Sequence, residues 1–154
     1  MRHNAGFTFT ELMVVIGIFA ILSAIAVPNF LSWRTDAKLR GAVSNLKADL
    51  NLARLSAARE GQALAVIFET GLYQIFFDNG SGSGTADNWL PDGDEKMVRN
   101  RRLPAGITLT NDVGGQLEFD ARGLLPGGGA NLTLTDTSGQ NVTLSLNRLG
   151  VITD

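Results

Sequence analysis

The chain has 154 residues, 44% of them hydrophobic and 18% charged, which suffices for one compact domain beside an apolar anchor but hardly for two independent cores. A formal net charge of -2 provides no global attraction to nucleic acid or anionic lipid. With no cysteine and a single histidine, His3, disulfides, thiolate metal sites and cysteine nucleophiles are excluded, and most hydrolase triads and transition-metal sites are argued against.

The first element is an apolar helix. Leu12 through Val27 carries no charged residue and only Ser23 as a polar interruption; with Phe7 and Phe9 it approaches the roughly 20 apolar residues that span a bilayer. One carboxylate, Glu11, stands at its edge, and an ionisable group in such a place calls for a specific counter-charge. Arg2 precedes the run and the charges after Pro28 are mixed in sign, so the positive-inside tendency places the N-terminus in the cytoplasm. An ordinary secretory signal is a competing reading, with Leu12 to Leu22 as its apolar region and Ala24-Ile25-Ala26 as its cleavage site. Against it, Glu11 stands where such signals carry positive charge, and helical periodicity continues past the supposed cut. A plain single-pass anchor accounts for the hydrophobicity but not for the grouping of Gly6, Phe7 and Glu11.

Pro28 removes a backbone donor and crowds the carbonyl of Ala24, so the helix should bend or locally melt there. Trp33 follows at a position suited to an interfacial aromatic or to packing between helices. Beyond it Leu39, Val43, Leu46, Leu50, Ala53 and Ala57 alternate four and three residues apart, an amphipathic stripe that faces a domain core. Gly61 marks the stop. One helix from Phe7 to Glu60 is therefore predicted, roughly 80 Å long at about 1.5 Å per residue, with its first half protruding.

After Gly61 the period becomes that of strands. Ala63 to Glu69 and Tyr73 to Asp78 flank Thr70-Gly71 and read as a hairpin. Asn79 to Glu95, with its Gly-Ser-Gly-Ser-Gly run, reads as a long exposed loop. Lys96 to Leu103, Ile107 to Thr110, Gln116 to Asp120, Asn131 to Asp136 and Asn141 to Asn147 are further strands, and Val151 and Ile152 extend the last ladder. Glycine-rich turns at 114–115, 127–129 and 138–140 punctuate them. The expected fold is α+β, a helix laid against antiparallel β-sheets.

Three further groups carry chemistry on paper. Lys96, Arg99, Arg101 and Arg102 form a basic cluster that could meet phosphates of a nucleic acid, or simply be a solvated strand face blunted by Asp94 and Glu95. Asp87, Asp92, Asp94 and Glu95 could offer oxygens to calcium, although the spacing lacks the EF-hand pattern and acidic glycine-rich loops are commonly plain turns. Trp89 in that loop packs on the domain or meets a partner subunit. Phe68, Tyr73, Phe76 and Phe77 read as sheet core rather than a ligand box, and Gly127-Gly128-Gly129 lacks the Lys and Ser/Thr of a phosphate loop.

The leader Met1-Arg2-His3-Asn4-Ala5-Gly6, the Gly6/Phe7 junction, Thr8, Glu11, the apolar run and Pro28 together resemble the class III signal of type IV pilins and pseudopilins. The resemblance implies cleavage by a prepilin peptidase after Gly6, methylation of the new Phe7 amine, and a Glu11 that engages the N-terminus of a neighbouring subunit during assembly. Cleavage would place a free ammonium four residues, about one helical turn, before Glu11.

The second half resembles the GspH/FimT family of minor pseudopilins and minor pilins, FimU among them. The residues that carry this are Leu103-Pro104-Ala105-Gly106-Ile107, Leu117 to Gly123 and Val142 to Val151. Where the family commonly ends on Gly-Arg-Val, Arg148 here precedes Leu149-Gly150-Val151. The resemblances imply a pilin fold divided into a leader (1–6), an apolar membrane and assembly helix (7–30), its amphipathic continuation (31–60) and an antiparallel β domain (61–154). They imply a structural subunit, not an enzyme, with no cofactor and no metal, anchored in the inner membrane with its β domain in the periplasm. Its implied partners are membrane lipid, the peptidase, the inner-membrane assembly platform and other minor and major pilins or pseudopilins. It would then enter a type IV pilus or type II secretion pseudopilus near the tip. A DNA-binding minor pilin acting in DNA uptake is the alternative.

Overall fold

A computed structural model describes residues 7–154; the expected leader, Gly6 included, lies outside the described residues. One helix, α1, runs Phe9–Glu60. Eight strands follow: β1 Leu64–Glu69, β2 Leu72–Phe76, β3 Met97–Arg102, β4 Thr108–Asn111, β5 Gln116–Phe119, β6 Ala130–Thr135, β7 Asn141–Leu146 and β8 Ile152–Thr153. A long N-terminal helix followed by antiparallel sheets is the expected pilin fold. The chain divides into two compact units, Met1–Asp36 and Ala37–Asp154.

In the first unit the helix begins two residues later than predicted, because Thr8 acts as its N-cap. It then continues through Pro28 without interruption, so of the two expected effects, a bend or local melting, the helix does not melt there. The proline lacks only its own donor, while the bonds of the flanking turns survive. Ser32 Oγ and Thr35 Oγ1 add side-chain bonds to the carbonyls of Asn29 and Leu31, 3.0 and 3.1 Å away. The most apolar 18-residue window of the helix has a mean hydropathy of 2.4, and none of it is buried. Phe19, Ile25 and Trp33 are among its exposed apolar side chains, with the Phe30 and Trp33 ring centroids 5.9 Å apart.

In the second unit the apolar stripe is buried as its spacing predicts, with Leu46, Leu50, Ala53 and Ala57 fully so. The helix ends on Gly61, whose φ of 66° suits glycine and whose N–H meets the Ala57 carbonyl at 2.9 Å. Two four-stranded antiparallel sheets follow, in the orders β3-β2-β1-β5 and β4-β6-β7-β8. Pleating turns Leu64, Val66 and Phe68 of β1 into the core together with Tyr73 and Ile75 of β2 and Leu117 and Phe119 of β5. Leu132, Leu134, Leu144 and Leu146 of the second sheet join the same cluster.

Two glycines are required where backbone meets backbone. A Cβ on Gly123 would lie 2.8 Å from the Arg54 carbonyl, and one on Gly150 would lie 2.8 Å from the Gly123 carbonyl; both residues have positive φ. Gly150 belongs to the terminal segment that departs from the family pattern, so the departure keeps a residue that the packing needs.

The segment between β2 and β3 is the long loop expected, without helix or strand, and side chains hold its backbone. Its carboxylates accept backbone donors that no ladder supplies. Asp78 takes Trp89 N–H at 2.8 Å, Glu95 takes Gly80 N–H at 2.8 Å, and Asp92 takes Thr85 N–H at 3.0 Å.

Candidate functional site

At the start of α1, Thr8 and Glu11 form a reciprocal cap. The Glu11 carboxylate accepts the Thr8 N–H and hydroxyl, each at 2.9 Å, and Glu11 N–H donates to Thr8 Oγ1 at 3.3 Å. This is the capping box, T-x-x-E, and its signal was local and present in the sequence. Reasoning from counter-charge alone missed it. Both bonds fall on Oε2, leaving Oε1 without a hydrogen bond among the described residues. Phe7 stands beside the cap, exposed.

A second polar group, centred on Asp49, was also missed. Asp49 sits on the apolar stripe, three residues after Leu46, and is 3% exposed. Its carboxylate accepts Tyr73 Oη–H at 2.7 Å, Arg101 Nε–H at 2.7 Å and Arg99 Nε–H at 3.2 Å. An acid interrupting a buried heptad-like stripe, with alternate arginines in a later strand, was the available signal. Burial opposes the Asp49 charge, but the hydrogen bonds from Arg101, Tyr73 and Arg99 outweigh it and hold the carboxyl below its ordinary range. Burial, then the bond to Asp49, pushes the Tyr73 hydroxyl well up. The bond to Asp49 likewise raises Arg101.

The basic cluster is thereby divided. Arg99 and Arg101 neutralise Asp49, while Lys96 approaches Glu60 at 3.5 Å and lies 5.5 Å from the Phe77 ring centroid. Arg102 alone of the four has no ion pair among the described residues. The loop acids Asp87, Asp92, Asp94 and Glu95 do not converge, and no group of three potential metal ligands occurs among the described residues. Asp92 and Glu95 serve the loop backbone instead. Trp89 is half-buried with φ 59°, and neighbouring Asp87 has φ 58°.

Two carboxylates set opposite slopes of stability against pH. Asp49, held below 3.8, binds its proton more weakly folded than unfolded. Its contribution is therefore complete above that value and is lost as pH falls through the folded one. Glu118 is raised above 4.5 by burial and by the charges of Asp87, Asp120 and Asp78. Its contribution is complete below 4.5 and is lost as pH rises through the folded value. In urea titrations of the full chain between about pH 2 and 7, Asp49→Asn should flatten the acid-side loss and Glu118→Gln the decline above 4.5.

An exposed apolar helix long enough to cross a membrane, capped through Thr8 and Glu11 and followed by an antiparallel β domain, defines the pilin-like class of filament subunits. The model of the Type II transport protein GspH matches residues 42–150, and that of the prokaryotic N-terminal methylation motif matches residues 1–27. The chain belongs to the GspH family. A fimbrial protein of Pseudomonas aeruginosa is 39% identical over 123 residues, 73% of this chain and 78% of that protein. The type IV major pilin protein PilA of Myxococcus xanthus is 51% identical over 46 residues, and the chain spans only 21% of its length.

Among solved structures, the type IV minor pilin FimU of Pseudomonas aeruginosa superposes with a TM-score of 0.58 at 20% identity, covering 79% of this chain and 90% of that one. The minor pseudopilin EpsH from the Type 2 Secretion System of Vibrio cholerae gives 0.60 at 16%, covering 75% and 94%. These two likenesses concern the fold. Pilins and pseudopilins are structural subunits rather than enzymes, and they assemble with other pilin subunits in filaments.

Proposed function

We propose that the chain is a minor pilin or pseudopilin made as a single-pass inner-membrane precursor, its N-terminus cytoplasmic and its β domain periplasmic. Prepilin peptidase cuts between Gly6 and Phe7, the Phe7 amine is methylated, and the assembly platform moves the subunit from lipid into a type IV pilus or type II secretion pseudopilus, near the tip. The observation that carries this reading is the exposed helix with one carboxylate, Glu11, at its apolar start. Such a helix passes from lipid to a filament core by exchanging one apolar surrounding for another. Glu11 then meets the Phe7 ammonium of a neighbouring subunit, which offsets its desolvation and sets register. Its free Oε1 is available for that contact while Oε2 stays with Thr8.

Arg99 and Arg101 are committed to Asp49 and Lys96 lies near Glu60, so the DNA-uptake reading draws no support from a free basic face. Intact-mass analysis of the mature protein tests the proposal. A start at methylated Phe7 is expected, and Gly6→Val should leave the precursor uncut with its membrane insertion unchanged. A start after Ala26 would mean a released secretory product and would end the filament reading.

A further inference from the structure

Along β1 the side chains alternate, with Leu64 and Val66 in the core and Ala65 on the opposite face of the first sheet. Ala65 lies on that face with its partners Phe76 on β2 and Glu118 on β5. Along β5 opens a groove of about 460 Å³ lined by Trp89, Val113, Leu117, Glu118, Leu125 and Pro126, together with the backbone of the glycine turn at 127–129. Trp89 and Glu118 are shared with a smaller cavity of about 90 Å³, which Ala63, Ala65, Asp78 and Asp87 complete. No lysine or arginine lines either space.

The groove mixes apolar and polar walls, since Asp112 and Gln116 line it as well; the Asp112 carboxylate is taken by Asn131, which leaves Glu118 as the unpartnered carboxylate of the groove. Glu118 is half-buried and makes no hydrogen bond or ion pair among the described residues. Asp87, Asp120 and Asp78 add negative potential around it, and burial with these charges pushes its carboxyl above the usual range. Arg122, the nearby cation, is taken by Asp120 at 3.0 Å. Trp89, which lines both spaces with Glu118, is held from its backbone, where the Asp78 carboxylate accepts its N–H at 2.8 Å. A carboxylate kept in such a field destabilises the isolated chain, and an incoming cation would remove that cost. Between an aromatic face and a carboxylate, a guanidinium fits better than an ammonium. It is planar, more weakly hydrated, stacks on indole and meets a carboxylate through two donors.

We propose that this groove receives an arginine side chain of a neighbouring filament subunit, its guanidinium held between the Trp89 ring and the Glu118 carboxylate. The source of the arginine rests on the filament reading above; the chemistry of the groove does not. The test titrates the full chain in detergent micelles with N-acetyl-arginine amide and with its neutral isostere N-acetyl-citrulline amide. The reporters are the NMR signals of the Trp89 and Trp33 indole N–H groups. The Trp89 signal should move saturably with arginine, with Kd on the order of millimolar. Citrulline should bind at least about fivefold more weakly, and the Trp33 signal should not follow either ligand. Glu118→Gln should reduce the arginine response to the citrulline level.

Equal responses to the two amides, an undiminished response in Glu118→Gln, or no saturable movement at tens of millimolar would each overturn the site. The comparison of the two amides needs no variant, so a folding defect in Glu118→Gln would not shield the proposal. Any of these failures would leave the filament reading intact, since that reading stands on the Phe7 start. A mature chain lacking that start would remove the subunit as the source of the arginine, whatever the groove binds.

Discussion

Glu11→Ala should insert in the membrane and be cut at Gly6 as the native chain is, yet its incorporation into filaments should fall by at least about tenfold, because no carboxylate is left to meet a neighbouring ammonium in the apolar core. Quantitative immunoblots of sheared filament against membrane fraction give the ratio directly. Glu11 also caps its own helix through Thr8, so a second substitution separates the two roles. Glu11→Gln keeps an oxygen for the Thr8 N–H and hydroxyl but carries no charge. If pairing drives assembly, Gln should behave as Ala does. Filament levels in Glu11→Gln equal to those of the native chain would reduce Glu11 to a helix cap. Thr8→Val, which loses the hydroxyl bond and keeps the charge, should have the smallest effect of the three.

The second large effect is expected at Asp49. Truncation to Ala leaves the buried Tyr73 hydroxyl without its acceptor and both arginines without their counter-charge. The arginines are 47% and 38% exposed at the side chain and partly regain water, so most of the cost falls on Tyr73 and on the space left behind. A loss of about 3 kcal/mol follows, or a fall in Tm of roughly 10 °C for a domain of this size. Thermal unfolding of the full chain in detergent, followed by circular dichroism, measures it. Asp49→Leu should lose less than Asp49→Ala, since it fills the site without leaving a void. A Tm for Asp49→Ala within about 2 °C of the native chain would show that the quartet adds nothing to stability.

How these two sites arise differs, and the difference explains what could be read in advance. The Thr8 to Glu11 cap spans three residues and lay in plain view as T-x-x-E. The same stretch also suits a charge pair between Glu11 and a Phe7 ammonium, and that reading masks the cap. Asp49 draws its partners from residues 24, 50 and 52 positions away. No local pattern announces such a meeting. It requires β2 and β3 to pair so that Tyr73 lies opposite Arg101 and Ile75 opposite Arg99, and it requires α1 to lie across that sheet. At Pro28 the local rule allowed a bend or melting, and the surrounding turns carry the helix through without melting.

By itself, then, the amino-acid order determined the long helix and its stop at Gly61, the apolar run with Glu11, the strands and the glycine turns between them. Each of these rests on a periodicity or a conformational preference confined to a few neighbouring residues. Tertiary structure alone decided that β1 pairs with β5 although β2, β3 and β4 intervene in the chain, that Arg99 and Arg101 of β3 meet Asp49, that carboxylates bind the backbone of the 79–95 segment, and that Trp89 and Glu118 share a groove. The physical reason is that burial and charge pairing act through space. Which side chains they bring together depends on register and sheet order, and both follow from the packing of the whole domain.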